Sequence, residues 1–148
     1  MAQASELESL VGSWRLVSLG VTLSDTRERI EPYGKNPVGY MVLSDSGRIM
    51  FLFTTANRQV PETSQARAEL FDSMTAYTGH VRIDAPGRLT TRVDLAWNPG
   101  FEGDQIRFFT LEGDRLTIQS AEQTHPQYRD RMLVADVVWV RESIAPNS

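Results

Sequence analysis

Arg107 is the side chain whose neighbours promise the most chemistry. In "DQIRFFTLE" the alternation of an extended chain puts it on one face with Phe109 and Leu111, with Ile106 and Phe108 opposite. A guanidinium is always charged and carries five donors in a rigid fork. Turned into an apolar interior, it must be matched by an interior carboxylate or by an anionic or carbonyl group of a ligand. Turned outward, it pairs at the surface while Ile106 and Phe108 fill the core. The alternation by itself leaves both orientations open.

The other reactive residue types are sparse. His80 and His125 are the two histidines, and they form no H-x-H or H-x-x-x-H pair, so no metal site is expected. Ligation of haem by a lone histidine has no further support, and no cofactor is assigned. His80 reads as a solvated strand residue, and His125, beside Pro126 on a loop, as a guard at a cavity mouth. Glu102 and Asp104 in "NPGFEGDQ" would act as general bases only if burial raised their pKa, and they read as solvated. No serine-hydrolase elbow and no glycine-rich phosphate loop occur, and there is no cysteine. No catalytic residue can be named from these types and spacings.

The aromatic residues offer a different kind of site. Tyr40, Phe51, Phe53, Tyr77, Trp97, Phe109 and Trp139, with Arg107 as a polar handle, have the make-up of a small-molecule pocket. The competing reading is that they fill the space themselves, since eight strands enclose room only for side chains or one small ligand.

Composition bounds the answer. At 148 residues, 41% hydrophobic and 23% charged, the chain is expected to form a single globular domain over 1–148 with its core between about 10 and 142. A net charge of −4, with 14 Arg and one Lys scattered along the chain, argues against nucleic acid and an anionic membrane surface as partners. "MAQASELESL" has neither a positive n-region nor an apolar h-region, and no apolar run reaches membrane-spanning length, so the expected location is cytoplasmic.

Turn signals recur at short intervals: "SDT" (24–26), "YGKNPVG" (33–39), "SDSG" (44–47), "DAPG" (84–87), "NPGFEGD" (98–104), "EGD" (112–114) and "THPQYRD" (124–130). Strands are expected at 14–23, 27–31, 38–44, 48–55, 76–84, 88–97, 105–111, 115–120 and 132–141. "PETSQARAELFDSMTAY" departs from this pattern. Its Ala66, Leu70, Met74 and Tyr77 are spaced for an amphipathic helix of about three turns capped near Thr63 or Ser64. A single helical turn is expected over Ser5–Leu10, capped by Ser5. The fold class is therefore all-β, an antiparallel up-and-down barrel of about eight to nine strands with one inserted helix.

The faces of some strands are clear and those of others are not. Tyr77, Gly79, Val81 and Ile83 read as inward, as do Leu89, Thr91, Val93, Leu95 and Trp97. In 48–55, however, Met50 and Leu52 oppose Ile49, Phe51 and Phe53, so both faces are apolar. A solvated barrel exterior tolerates little of this, so either the helix covers some of that surface or a second subunit does, as in a homodimer.

Gly12-Ser13-Trp14, at the start of the first strand, resembles the G-x-W signature of lipocalins and other calycins. The resemblance implies that Trp14 lies across the closed end of the barrel and that Arg141 in "VVWVRE" packs over it as a structural plug. The blocks "LVGSWRLVS", "EPYGKNPVGYMVLSDSGRIM", "FDSMTAYTGHVRID" and "GDQIRFFTLEGDRLTI" are similar, in order, to those of the bacterial and fungal lipocalin-like domain family of compact cytosolic barrels. The likeness runs from Leu10 to Glu142, with Tyr33 to Tyr40 its most specific part. The loop "AEQTHPQYRDRM" departs from the family pattern.

Fold is not function, so three readings follow. The first is binding of one small hydrophobic or amphipathic molecule in the barrel. The second is a cofactor-free cyclase or isomerase acting on a polyketide- or terpenoid-like substrate by proximity and orientation. The third is a dimeric accessory protein with a filled interior.

Overall fold

The computed structural model describes residues 2–125, 128 and 131–143. Part of the turn expected over 124–130 (residues 126, 127, 129 and 130) lies outside the described residues. In chain order the elements are α1 (Ala2–Leu10), β1 (Gly12–Leu23), β2 (Arg29–Ile30), β3 (Val38–Leu43), β4 (Arg48–Thr54), α2 (Ser64–Asp72), β5 (Met74–Ala85), β6 (Arg88–Ala96), a 3-10 turn (Pro99–Phe101), β7 (Gly103–Glu112), β8 (Arg115–Ser120) and β9 (Leu133–Arg141).

From β3 onward each strand pairs antiparallel with the next, and β9 returns to β1, with partners running from Trp14↔Arg141 to Leu23↔Leu133. This closes an eight-stranded up-and-down barrel of β1 and β3–β9. The two-residue β2 is an extra strand against Val21 and Thr22 of β1. Arg29 of β2 reaches over β1 to form an ion pair with Asp136 on β9. Strand direction gathers α1 and the β3–β4, β5–β6 and β7–β8 turns at one end of the barrel. The segments 31–37, 55–73, 97–102 and the described residues of 121–132 lie at the other.

Period-two alternation decides which side chains enter. In β3, Gly39, Met41 and Leu43 are buried and Val38, Tyr40 and Val42 exposed. Gly39 is needed because a Cβ there would collide with Phe53 on β4, its register partner. The core runs from Leu10, Trp14 and Leu116 at the α1 end to Leu23 and Leu133 at the other.

Three expectations are corrected. Leu95 and Trp97 do not share the inward face of β6. Val93 pairs with Gly79 and Leu95 with Thr78, so Asp94 is an extra residue at a β-bulge, and the alternation inverts beyond it. Leu95 is consequently exposed. The helix α2 ends at Asp72, with Ser73 capping it through Leu70 O, and Met74 and Tyr77 belong to β5. The β-branched and aromatic run after Ser73 is better satisfied by pairing with β4 than by another helical turn. Finally, α1 begins at Ala2, ahead of the expected cap at Ser5.

Candidate functional site

The interior narrows to a cavity of about 100 Å³ toward the end away from α1. Its apolar wall comes from inward positions of the strands: Leu19, Val21, Met41, Phe51, Phe53, Tyr77, Leu89, Val137 and Trp139. Pro32, Phe101 and His125, from three separate loops, line it at the end where those loops gather. Apart from His125, its polar groups are few: Tyr33, Thr75, Thr91, Arg107, Ser120 and Gln123.

The aromatic rings form a connected lining. Phe51 stacks on Phe53 at 5.3 Å and meets Tyr77 edge-on at 4.2 Å and Trp139 at 6.4 Å. Tyr33 stands edge-on to Phe53 at 5.0 Å. Its hydroxyl shares a 2.6 Å hydrogen bond with Thr75, and burial raises its pKa above the ordinary phenol value. At the mouth, His125 stands edge-on to Phe101 at 5.2 Å and contacts Tyr128 at 5.7 Å. Burial among these rings lowers the imidazole pKa to about 4, so it is neutral at pH 7.

Arg107 faces inward, as one of its two orientations required. Its contacts are the Ile106 carbonyl at 2.8 Å and the side-chain oxygens of Gln123 and Gln105, each at 3.3 Å. Gln105 is itself fixed by donating to the Phe101 carbonyl at 2.9 Å. Among the described residues every partner of Arg107 is a neutral acceptor, and its five donors exceed these three contacts.

The proposed lining residues therefore separate. Phe51, Phe53, Tyr77, Arg107 and Trp139 meet at the cavity. Phe109 points inward but packs against the core outside the cavity lining. Tyr40 is half exposed on the outer wall. Trp97 lies behind Phe101, its ring tilted by 32° against it at 5.1 Å, and donates its indole N–H to the Phe71 carbonyl of α2. Glu102 and His80 are exposed, and Asp104 pairs with Arg92 on the outer wall. The sequence reading missed Tyr33, Thr75, Ser120 and Gln123. Tyr33 stood in the most specific block of the resemblance, which was its one available signal.

At the α1 end of the barrel Trp14 and Arg141 are in contact. The Arg141 guanidinium lies 4.2 Å from the Trp14 ring centroid, and Trp14 is fully buried. Among the described residues no cluster of three potential metal-ligating side chains occurs, and no helix is long and apolar enough to cross a membrane.

With this geometry in hand, comparison with known proteins gives a family. The lipocalin-like domain family matches residues 11–142. The chain belongs to that family. A lipocalin-like barrel suits the binding of small molecules, and the family's fold is the one described above. Among solved structures, the crystal structure of Rv2717c from M. tuberculosis is similar over 97% of this chain and 99% of its own, at 13% identity and a TM-score of 0.44. No curated protein matches.

Proposed function

We propose that this lipocalin-like barrel binds one small amphipathic molecule by its polar head, with a carboxylate or enolate oxygen on Arg107 and an apolar body against Phe51, Phe53, Tyr77 and Trp139. The observation that carries this reading is the guanidinium itself, facing an apolar cavity and, among the described residues, held by neutral acceptors. Such a charge is costly to enclose without an anion, and a ligand's oxygen would supply one.

Size narrows the ligand. Drug-sized pockets run to about 300–1,000 Å³, and a cavity of about 150 Å³ holds benzene. About 100 Å³ therefore accommodates a head group and a few carbons, with the remainder leaving past Phe101 and His125. Arg107 would select the head and the aromatic lining would accept varied bodies.

The same guanidinium favours a second reading. Donors left over beside an apolar cavity would also stabilise an oxyanion that develops during a cofactor-free cyclisation or isomerisation. Acid–base chemistry is a weak part of that reading, because His125 titrates at about 4 and Tyr33 above the phenol range.

The test is a fluorescence titration with an aryl-alkanoate, using Trp139→Phe to identify the reporter. Saturable quenching in the wild type that disappears in the variant supports interior binding. No change with any aryl-alkanoate contradicts it, and turnover of the bound compound favours the enzyme.

A further inference from the structure

The outer wall of β3–β6 carries an apolar face that the barrel itself does not use. Register places Tyr40, Leu52 and Ala76 in one row across β3, β4 and β5, and Val42, Met50, Thr78 and Leu95 in the next. Val38, Tyr40, Val42, Met50, Leu52 and Leu95 are each between 49% and 65% exposed. The bulge at Asp94 is what adds Leu95 to this face. A concavity of about 440 Å³ lies over these rows, bounded by Trp97.

We infer that this face is the interface of a homodimer, with a second copy of the chain as its occupant. The inference does not depend on what the barrel interior binds. Three observations select a second copy.

The first is area. Six neighbouring apolar side chains at about half exposure or more form a patch on the order of a few hundred Å², the scale at which a monomer's largest apolar patch is often functional. Burying it together with surrounding polar residues would approach the roughly 800 Å² per partner of a standard interface.

The second is charge. Arg48 and Asp94 pair at 2.8 Å beside these rows, with side chains 37% and 48% exposed. A rim that holds both signs can face its own image without like-charge conflict, as an isologous contact requires.

The third is backbone geometry. β4 and β5 are paired on both sides along their length, so an extended peptide finds no free edge there to join. An anionic lipid surface would need a basic rim, and this chain carries a net charge of −4.

Sedimentation velocity on the full chain, with Leu52→Asp, Met50→Asp and Phe108→Asp, tests the inference. Each residue is substantially exposed, so the barrel should fold in all three variants, which circular dichroism would verify. The wild type should sediment at twice the 16.7 kDa of one chain at micromolar concentration. Leu52→Asp and Met50→Asp should weaken association by at least about 100-fold, since each places a charge in an apolar contact. Phe108, exposed on β7 away from this face, should leave the dimer intact when replaced. A wild type that stays monomeric at every accessible concentration would overturn the inference, whether or not it floats with phosphatidylcholine vesicles. So would a dimer indifferent to both β4 substitutions, since it would use another surface. If one β4 variant fails to fold, the other carries the same comparison.

Discussion

The guanidinium of Arg141 lies over the indole of Trp14 at 4.2 Å from the ring centroid, and the two residues are register partners on β9 and β1. The same guanidinium donates to the Ser9 carbonyl at 2.7 Å and the Val11 carbonyl at 2.8 Å, at the C-terminal end of α1. Trp14 donates its indole N–H to the Leu10 carbonyl at 3.0 Å. One cation thus covers the ring that seals the barrel and satisfies carbonyls the helix leaves unpaired. Gly12 completes the arrangement: its φ is +136°, and a Cβ there would stand 2.9 Å from an Arg141 nitrogen. The spacing of Gly12 and Trp14 is accounted for by the passage of this arginine.

Replacing Arg141 with Ala should therefore cost about 1–3 kcal/mol, from the lost cation–π contact and the carbonyls left without a donor. The check is a lower urea midpoint at unchanged m-value. Arg141→Lys should recover only part of the loss, because an ammonium cannot span both carbonyls and lie flat on the ring.

Stability should fall between pH 6.5 and about 4 because of His125. Its folded pKa of about 4 is below the unfolded value of 6.5, so in this window the unfolded chain binds a proton that the folded chain refuses. The loss should reach about 2–3 kcal/mol. His125→Gln should flatten thermal stability across the window. Asp25 and Asp84, held below the ordinary carboxylate value by hydrogen bonds from Arg131 and Thr90, contribute stability that is lost only below 3.8, outside the window.

Trp97 should matter more to α2 than to the barrel. The helix has no buried residue, and the Trp97 indole holds the Phe71 carbonyl at 2.9 Å. Trp97→Phe should raise amide hydrogen exchange across Ser64–Asp72 several-fold and lower global stability by less than about 1 kcal/mol. Equal loss of protection in β4 and β5 would contradict this division.

The strands were legible because turn residues bound them and β-branched and aromatic residues fill them, and each of the nine expected strands has a counterpart. Faces were legible only where polar and apolar residues alternate. Tyr40 sits in "VGYMVL", whose apolar residues occupy both faces, so alternation carried no sign of which way it turns. Leu95 and Trp97 were misplaced by the bulge at Asp94, which shifts register through backbone pairing that side-chain pattern does not encode. The helix was read too long because Met74 and Tyr77 fit a helical stripe and a strand face equally well. Arg107 could be singled out as a cation, but alternation left its facing open, and the fold turns it inward. Its partners Gln105 and Gln123 could not be singled out, since neutral amides on separate elements leave no spacing signal.

The most direct test of the account is a titration of wild type and Arg107→Met with matched aryl-alkanoic acids and their methyl esters. A hydrogen-bonded charge pair at Arg107 should give the wild type a preference for the acid of about 10–100-fold. Met keeps the length and apolar character of the stem, so the variant should bind acid and ester alike, with ester affinity close to that of the wild type. Equal loss of acid and ester binding in a folded variant, or no acid preference in the wild type, would contradict a ligand-selecting role for Arg107.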